Sequence, residues 1–167
     1  MNQAYEDVKQ FHTAFGHPTA AAPQLLPPQR VEDRARWMDE ELDEFRRAET
    51  LVDQADAMID LIYFALGTLV EMGVQPGPLF AIVQRANMAK LDPDGQPLRR
   101  ADGKIVKPPG WQDPAPLLAA EIARQGAALR GPLGALARAL AIPETTPPED
   151  VLRETLIRVH EDARRRP

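Results

Sequence analysis

The stretch IDLIYFALGTLVEMG, residues 59–73, decides the fold of this chain. Between Ile59 and Val70 only three residues are not apolar: Asp60, Gly67 and Thr68. A helix that is apolar on nearly every side is typical of a protein interior. The stretch therefore predicts a central, buried helix over Leu51–Met72 that ends at Gly73, because glycine readily adopts the left-handed conformation of a helix C-terminus.

On the N-terminal side of this helix, the apolar pattern predicts two more helices. The first covers Gln3–Phe15, where apolar residues recur at spacings of three and four, and it stops at Gly16-His17-Pro18. The prolines of Thr19–Arg30 predict a surface loop. A second helix is expected over Val31–Glu49, with one packed face and one acidic, solvated face.

On the C-terminal side, a shorter helix is predicted over Pro78–Lys90, followed by a loop or small hairpin over Leu91–Trp111, which is rich in turn sequences. Two further helices are expected, at 115–140 with an interruption at Gly131-Pro132, and at 147–166, where Thr146 and Glu149 form a capping box. The fold class is all-α, with one domain at 1–115 and a helical extension at 116–167.

The composition excludes several classes of protein. The 167 residues include 44% hydrophobic and 27% charged residues, which is typical of a soluble globular chain. With no cysteine and three histidines, a disulfide framework and a zinc site are disfavoured. The net charge of -5 argues against a nucleic-acid polymer as partner. No apolar run reaches the roughly 18 residues that span a bilayer, and a cytoplasmic location is expected.

Two acidic clusters fall on neighbouring predicted helices. Glu40, Glu41 and Glu44 span an arc of roughly 100° on the first of them. Asp56 and Asp60 lie one turn apart on the second, within an arc of roughly 60° that also includes Asp53. Because no lysine or arginine lies between Arg47 and Arg85, these clusters would repel each other if packed together. Hard divalent cations bound by carboxylate oxygens would remove that repulsion.

Each cluster also has a simpler interpretation. The three glutamates fit a solvated helix face paired with nearby arginines equally well. Asp60 fits that interpretation less well, since a carboxylate embedded in a buried helix needs a partner or an ion. Asp53 is interpretable as a helix cap.

A basic group follows the fourth helix and is a candidate phosphate site. It comprises Arg85, Lys90, Lys104 and Lys107, together with Arg99 and Arg100, on or beside a glycine-containing loop. Such a loop can close over a polyphosphate and neutralise a leaving group. A solvated, charged loop is the alternative.

Aromatic residues and histidine add two further candidates for ligand contact. His12 lies near a helix end, where a cap or a packed side chain is the more common role. Trp37 is one turn before the glutamates, so it belongs either to the core or to a nucleobase stack.

The motifs together resemble a known superfamily. WMDEELDE at 37–44 and ADAMIDLIYFALGT at 55–68 resemble the all-α nucleoside triphosphate pyrophosphohydrolases, which include MazG-like proteins, dimeric dUTPases and phosphoribosyl-ATP pyrophosphohydrolases. FHTAFG at 11–16, NMAK at 87–90, ADGK at 101–104 and KPPGW at 107–111 resemble a MazG-like branch with a basic C-terminal loop. The resemblance covers residues 1 to about 115.

The resemblance implies a magnesium-dependent hydrolysis between the α and β phosphates of a nucleoside triphosphate, with manganese able to substitute and two or more ions in each site. It implies metal ligands at Glu40, Glu41 and Glu44, with Asp60 as the last acid of the second motif. Catalysis falls to Glu41 or Glu40 as proton acceptor. Substrate contacts fall to Asn87, Lys90, Lys104, Lys107, Arg85, Trp37 and His12.

The chain departs from the family pattern at one position. Ala57 stands three residues before Asp60, where the family has glutamate, and Asp56 is the expected substitute on the same face. The missing ligand keeps open a non-catalytic helical interaction protein. Phosphoribosyl-ATP hydrolysis is the enzymatic alternative.

The resemblance also implies a dimer or tetramer. The richness in alanine, arginine and proline suggests a GC-rich genome. Because phages with modified bases carry such enzymes to remove dGTP, a guanine nucleotide is the first candidate substrate and a phage protein in the host cytoplasm the first candidate origin.

Overall fold

Helix α3, Leu51–Met72, is the longest of the described helices, and the helices at Asn2–Phe15 and Pro28–Arg47 pack against it. Thr50 caps its N-terminus, where the hydroxyl accepts the Asp53 amide N–H at 3.1 Å and donates to the Asp53 carboxylate at 2.7 Å. Gly73, in the left-handed conformation with φ 65°, ends it. These ends confirm the predicted bounds of the helix, whereas Thr50 and not Asp53 is its cap, and Asp53 lies in the first turn.

The structure, a computed structural model, describes residues 1–92 and 94–130 together with residues 136, 139, 140, 142, 153, 154 and 156–158. The four other helices within this part are α1 Asn2–Phe15, α2 Pro28–Arg47, α4 Pro76–Met88 and α5 Ala115–Arg130. The predicted turn-rich loop of 91–111 contains two isolated bridges, Leu91 with Pro97 and Arg99 with Ile105. They are the only β-type pairing among the described residues. The all-α class is confirmed. The capping box at Thr146 and Glu149 lies outside the described residues.

Helix α2 begins three residues earlier than the proline pattern predicted. Pro28 occupies its first turn, where a missing N–H costs no hydrogen bond and the fixed φ suits a helix. The loop prediction was therefore wrong from Pro28 onward. Pro76 begins α4 in the same way, two residues before the predicted start.

The prediction that α3 is buried all round was wrong. Its inner face packs on α1 through Tyr5, Val8, Leu66 and Val70, all nearly inaccessible to solvent. Its outer face exposes Val52 (75%), Ile59 (61%) and Ile62 (52%), and Asp60 is exposed beside them. The other described helices do not enclose α3, so the apolar pattern of 59–70 exceeds what the described part of one chain covers.

No single described helix is long and apolar enough to cross a membrane. Helices α3 and α4 are long and apolar enough for such a span only when taken together, by length and composition alone, and they are bent by 116° relative to each other.

Candidate active site

The candidate active site lies between α2 and α3, which make the most extensive helix contact of the described chain. The inward positions of α2 recur at three- and four-residue spacing through Arg34, Trp37 and Glu41. The polar character of this packed stripe is unusual, because buried helix faces are mostly apolar. It places charged and aromatic side chains against α3.

Glu41 is the centre of the acidic cluster. Burial first, and then the negative charges of Glu44, Asp60, Asp56 and Glu40, raise the pKa of its carboxyl. The structure thus brings the acids of both helices near one another, although Asp60 is not embedded as predicted. Because Asp60 is exposed, burial does not require a partner for its carboxylate. What remains is its negative charge, which acts on Glu41.

The surface-pair interpretation of the glutamates holds only in part. Arg36 approaches Glu40 at 4.0 Å, and Arg46 pairs with Asp43. Among the described residues, no lysine or arginine forms an ion pair with Glu41, Glu44, Asp56 or Asp60. Arg34 does not pair with these glutamates and instead binds Thr68, Glu71 and the Phe64 carbonyl.

The carboxylate oxygens of the acidic cluster are suitable donor atoms for a divalent cation. Glu41 Oε2 is buried and has no hydrogen-bond partner in the described part of the chain, and every acid near it supplies the oxygen that Mg²⁺ prefers. No three such side chains among the described residues already converge on one point. The donor chemistry and the unpartnered oxygen therefore fit a magnesium ion, without defining its coordination.

An aromatic pocket adjoins the acidic cluster, and we define it by Phe11, His12, His17, Arg34, Trp37, Tyr63 and Phe64. Its volume is about 160 Å³. The rings of Trp37 and Phe64 lie 6.0 Å apart, and each is one helical turn, about 6 Å along its axis, from Glu41 and Asp60 respectively. Trp37 is half-buried, so both of its predicted roles, in packing and in lining a ligand site, agree with its position.

His12 lies at the inner end of this pocket and is only 3% exposed. Its Nδ1 is 2.8 Å from the carbonyl oxygen of Pro18. Burial is the main cause that lowers the pKa of the imidazole. The prediction of a packed histidine is confirmed, and its contact with a substrate stays a prediction.

A buried ionic group beneath the pocket was missed by the sequence analysis. Glu71, 2% exposed, accepts Arg30 Nε at 2.6 Å and Nη2 at 2.7 Å, and Arg34 Nη1 at 3.3 Å. Arg34 also donates to the Thr68 hydroxyl at 2.9 Å and to the Phe64 carbonyl. The signal was available, since Arg30 and Arg34 share the face of Trp37 and Glu41 at helical spacing.

The basic residues form a separate group at the end of α4 and on the loop after it. Lys90 Nζ donates to Asn87 Oδ1 at 2.8 Å, and Lys107 Nζ lies 4.0 Å from the centre of the Trp111 ring. The Trp111 indole N–H donates to the Ala86 carbonyl at 2.7 Å, which ties the loop to α4. Arg85 lines a cavity of about 570 Å³ between α4, the loop and α5. Lys104 is exposed.

In the described chain, no hydrogen bond or ion pair joins this basic group to the acidic cluster. Helix α4 packs mainly against α5 and α1. The predicted phosphate-binding residues and the predicted metal ligands are therefore not directly bonded to one another within the described part of the chain.

Comparison with known proteins places these motifs among nucleotide-hydrolysing proteins. Residues 8–87 match the family model of phosphoribosyl-ATP pyrophosphohydrolase. The chain is also similar to the crystal structure of a proposed NTP pyrophosphohydrolase from Exiguobacterium sp. 255-15, with 39% sequence identity over 73% of this chain and 95% of that one. The TM-score between the two structures is 0.42. No curated protein matches the chain.

Proposed function

Because the chain belongs to the all-α nucleoside triphosphate pyrophosphohydrolases and is a nucleotide pyrophosphohydrolase, we propose that it hydrolyses a nucleoside triphosphate between the α and β phosphates. The products are a nucleoside monophosphate and pyrophosphate. The observation that carries the proposal is the acidic cluster beside the aromatic pocket on one helix pair.

The proposed metal ligands are Glu40, Glu41, Glu44, Asp56 and Asp60, and the ion is Mg²⁺ or Mn²⁺. When bound, divalent ions polarise the α-phosphate and stabilise the charge that develops on the leaving pyrophosphate. Asp56 replaces the glutamate that the family has at the position of Ala57, since it lies one turn from Asp60 and acts on the same Glu41 carboxyl.

The residues of this chain divide the remaining work. Glu41 or Glu40 accepts the proton of the attacking water as its oxygen bonds to the α-phosphorus and the bond to the bridging oxygen breaks. Trp37 and the other rings of the aromatic pocket hold the nucleobase, and His12 lies at its inner end. A guanine nucleotide, dGTP or GTP, is the proposed substrate.

The triphosphate contacts are proposed to come from a second copy of the chain. Asn87, Lys90, Lys104, Lys107 and Arg85 carry the required charge and hydrogen-bond donors, but in the described residues none of them is bonded to the acidic cluster of its own chain. The outer face of α3, with Val52, Ile59 and Ile62, is an apolar surface that a second copy would cover. The substrate class also leads us to propose a cytoplasmic location.

Pyrophosphate release from a panel of nucleotides tests the proposal. The purified protein is assayed with each deoxy- and ribonucleoside triphosphate and with phosphoribosyl-ATP, the substrate named by the matching family model. We expect release of pyrophosphate and a monophosphate in Mg²⁺ or Mn²⁺ and its loss in excess EDTA. Full turnover in EDTA would contradict the metal requirement, and turnover of phosphoribosyl-ATP alone would transfer the proposal to that substrate.

A further inference from the structure

Gly67 occupies an interior position of α3 for a steric reason. Glycine within a helix is destabilising relative to alanine. A Cβ atom at this position would lie 2.6 Å from Arg34 Nη2 and 2.8 Å from His12 Nε2, both too short for such contacts. The missing side chain therefore allows two buried polar groups, from α1 and α2, to converge over α3 at the inner end of the aromatic pocket.

The hydrogen bonding of His12 defines what its second nitrogen offers. The Pro18 carbonyl oxygen can only accept, so the hydrogen atom lies on Nδ1. Nε2 of the neutral ring is then an acceptor, and the burial that lowers the pKa of His12 favours that neutral form. The nitrogen that approaches Gly67 therefore accepts a hydrogen bond.

Arg34 supplies the complementary donors. A guanidinium carries five N–H groups and cannot accept. Three of them bind Thr68, Glu71 and the Phe64 carbonyl. Two more N–H groups, one on each terminal nitrogen, have no partner within the described residues, and Arg34 lines the pocket.

We propose that His12 and Arg34, brought together over Gly67, read the edge of a 6-oxopurine base, which is guanine or hypoxanthine. The inference rests on the proposed function and names its substrate class. Two donors beside one acceptor match the two acceptors, N7 and O6, and the N1–H donor of such a base. Adenine replaces the O6 acceptor by an amino donor, and a pyrimidine has no counterpart of N7. Arg34 and His12 act as specificity-determining residues, and Gly67 positions them.

Substrate analogues test the edge directly. We expect kcat/KM for dITP to be within about threefold of that for dGTP, because both bases share the edge. Values for dATP and for N1-methyl-dGTP should fall at least about tenfold, since a buried polar group then loses its partner. Equal kcat/KM for dGTP and N1-methyl-dGTP would overturn the role of His12.

Variants test the positioning by Gly67. Gly67→Ala should reduce the preference for dGTP over dATP at least about tenfold while hydrolysis continues, because the acidic cluster is untouched. Ala65→Ser, which adds one heavy atom on an exposed position of the same helix, should keep the preference. His12→Phe provides a second variant if Gly67→Ala fails to fold, and it should remove the penalty against N1-methyl-dGTP. An unchanged base preference in folded Gly67→Ala would contradict the proposal.

Product binding gives a readout that does not depend on catalysis. Quenching of Trp37 fluorescence by GMP and AMP in metal-free buffer reports occupation of the pocket, with Trp37→Phe as the control for Trp111. We expect tighter binding of GMP, lost in Gly67→Ala. Binding of GMP without hydrolysis of any nucleotide would contradict the proposed function alone, whereas hydrolysis indifferent to the base would contradict this inference alone.

Discussion

At the scale of single residues, the acidic cluster brings together side chains of like charge, which repel one another. The negative charge of Asp60 acts on the Glu41 carboxyl, and no described lysine or arginine forms an ion pair with either side chain. Repulsion of this kind costs stability in the folded chain and is relieved when a positive charge binds. The same two residues therefore connect the stability of the fold to the proposed activity.

We predict that Asp60→Ala lowers kcat/KM at least about 100-fold, as is common when an electrostatic group at a reacting centre is removed. Because Asp60 is exposed and its removal relieves the repulsion with Glu41, the melting temperature should not fall. Asp39→Ala is the matched control, since Asp39 is exposed on the opposite side of α2. Equal losses of activity in the two variants would indicate a general effect of surface charge.

His12 predicts a pH dependence of stability. The pKa of this histidine is lower in the folded chain than its ordinary value of about 6.5. Protonation therefore favours the unfolded chain, so the stabilising contribution is complete above about pH 6.5 and is lost as the pH falls through the folded value. Arg34, Glu71 and His17 are the charged or titratable groups that act on it.

Chemical denaturation at a series of pH values from about 7 to about 5 measures this effect. The free energy of unfolding should decline with acid in the wild type and decline less in His12→Phe. His17→Phe, which removes an exposed histidine of the same pocket, should keep the wild-type decline. Parallel curves for wild type and His12→Phe would show that other groups cause the decline.

At the scale of elements, a buried ion pair holds α2 against α3. Glu71 near the end of α3 binds both Arg30 and Arg34, and Arg34 in turn binds the Phe64 carbonyl and contacts the Trp37 ring at 5.3 Å. The contact thus determines the relative position of two helices and the inner wall of the aromatic pocket. Hydrophobic residues of similar volume often stabilise a helix interface as well as an ion pair or better. The role of these charged residues is therefore to set the relative position of the two helices.

Removal of one partner is predicted to be costly. Glu71→Gln should lower the free energy of unfolding by about 3–5 kcal/mol, because Arg34 remains buried without compensation of its charge. Urea denaturation measures the loss. Asp43→Asn breaks an exposed pair with Arg46 and should cost less than about 1 kcal/mol. Similar losses in the two variants would contradict the burial argument.

At the scale of the whole molecule, no hydrogen bond or ion pair joins the acidic and basic halves of the proposed site within the described part of one chain. If a second copy supplies the basic half, an assembly of two chains contains two sites, each built from both chains. Two variants defective in different halves then complement each other, while two defective in the same half do not.

Co-expression of Asp60→Ala with Lys104→Ala is predicted to restore up to about a quarter of wild-type activity, since half of the random dimers are mixed and each mixed dimer has one intact site. Asp60→Ala with Asp56→Ala, both in the acidic half, should restore none. Absence of complementation in a confirmed dimer would show that each chain builds its own site.

The sequence by itself determined the helices and the chemistry. Caps such as Thr50 and Gly73 act within one or two turns, and the spacing of Glu41 and Asp60 on their helices follows from local geometry, so residue order suffices for both. The family match confirms the class of enzyme that these motifs indicated. Only the tertiary structure decided the contacts between helices: the exposure of Asp60 and Ile59, the pairing of Glu71 with Arg34, and the convergence of His12 and Arg34 over Gly67. The physical reason is that hydrophobic periodicity reports which side chains can be buried, whereas the partner that covers them depends on residues more than 30 positions away in the chain.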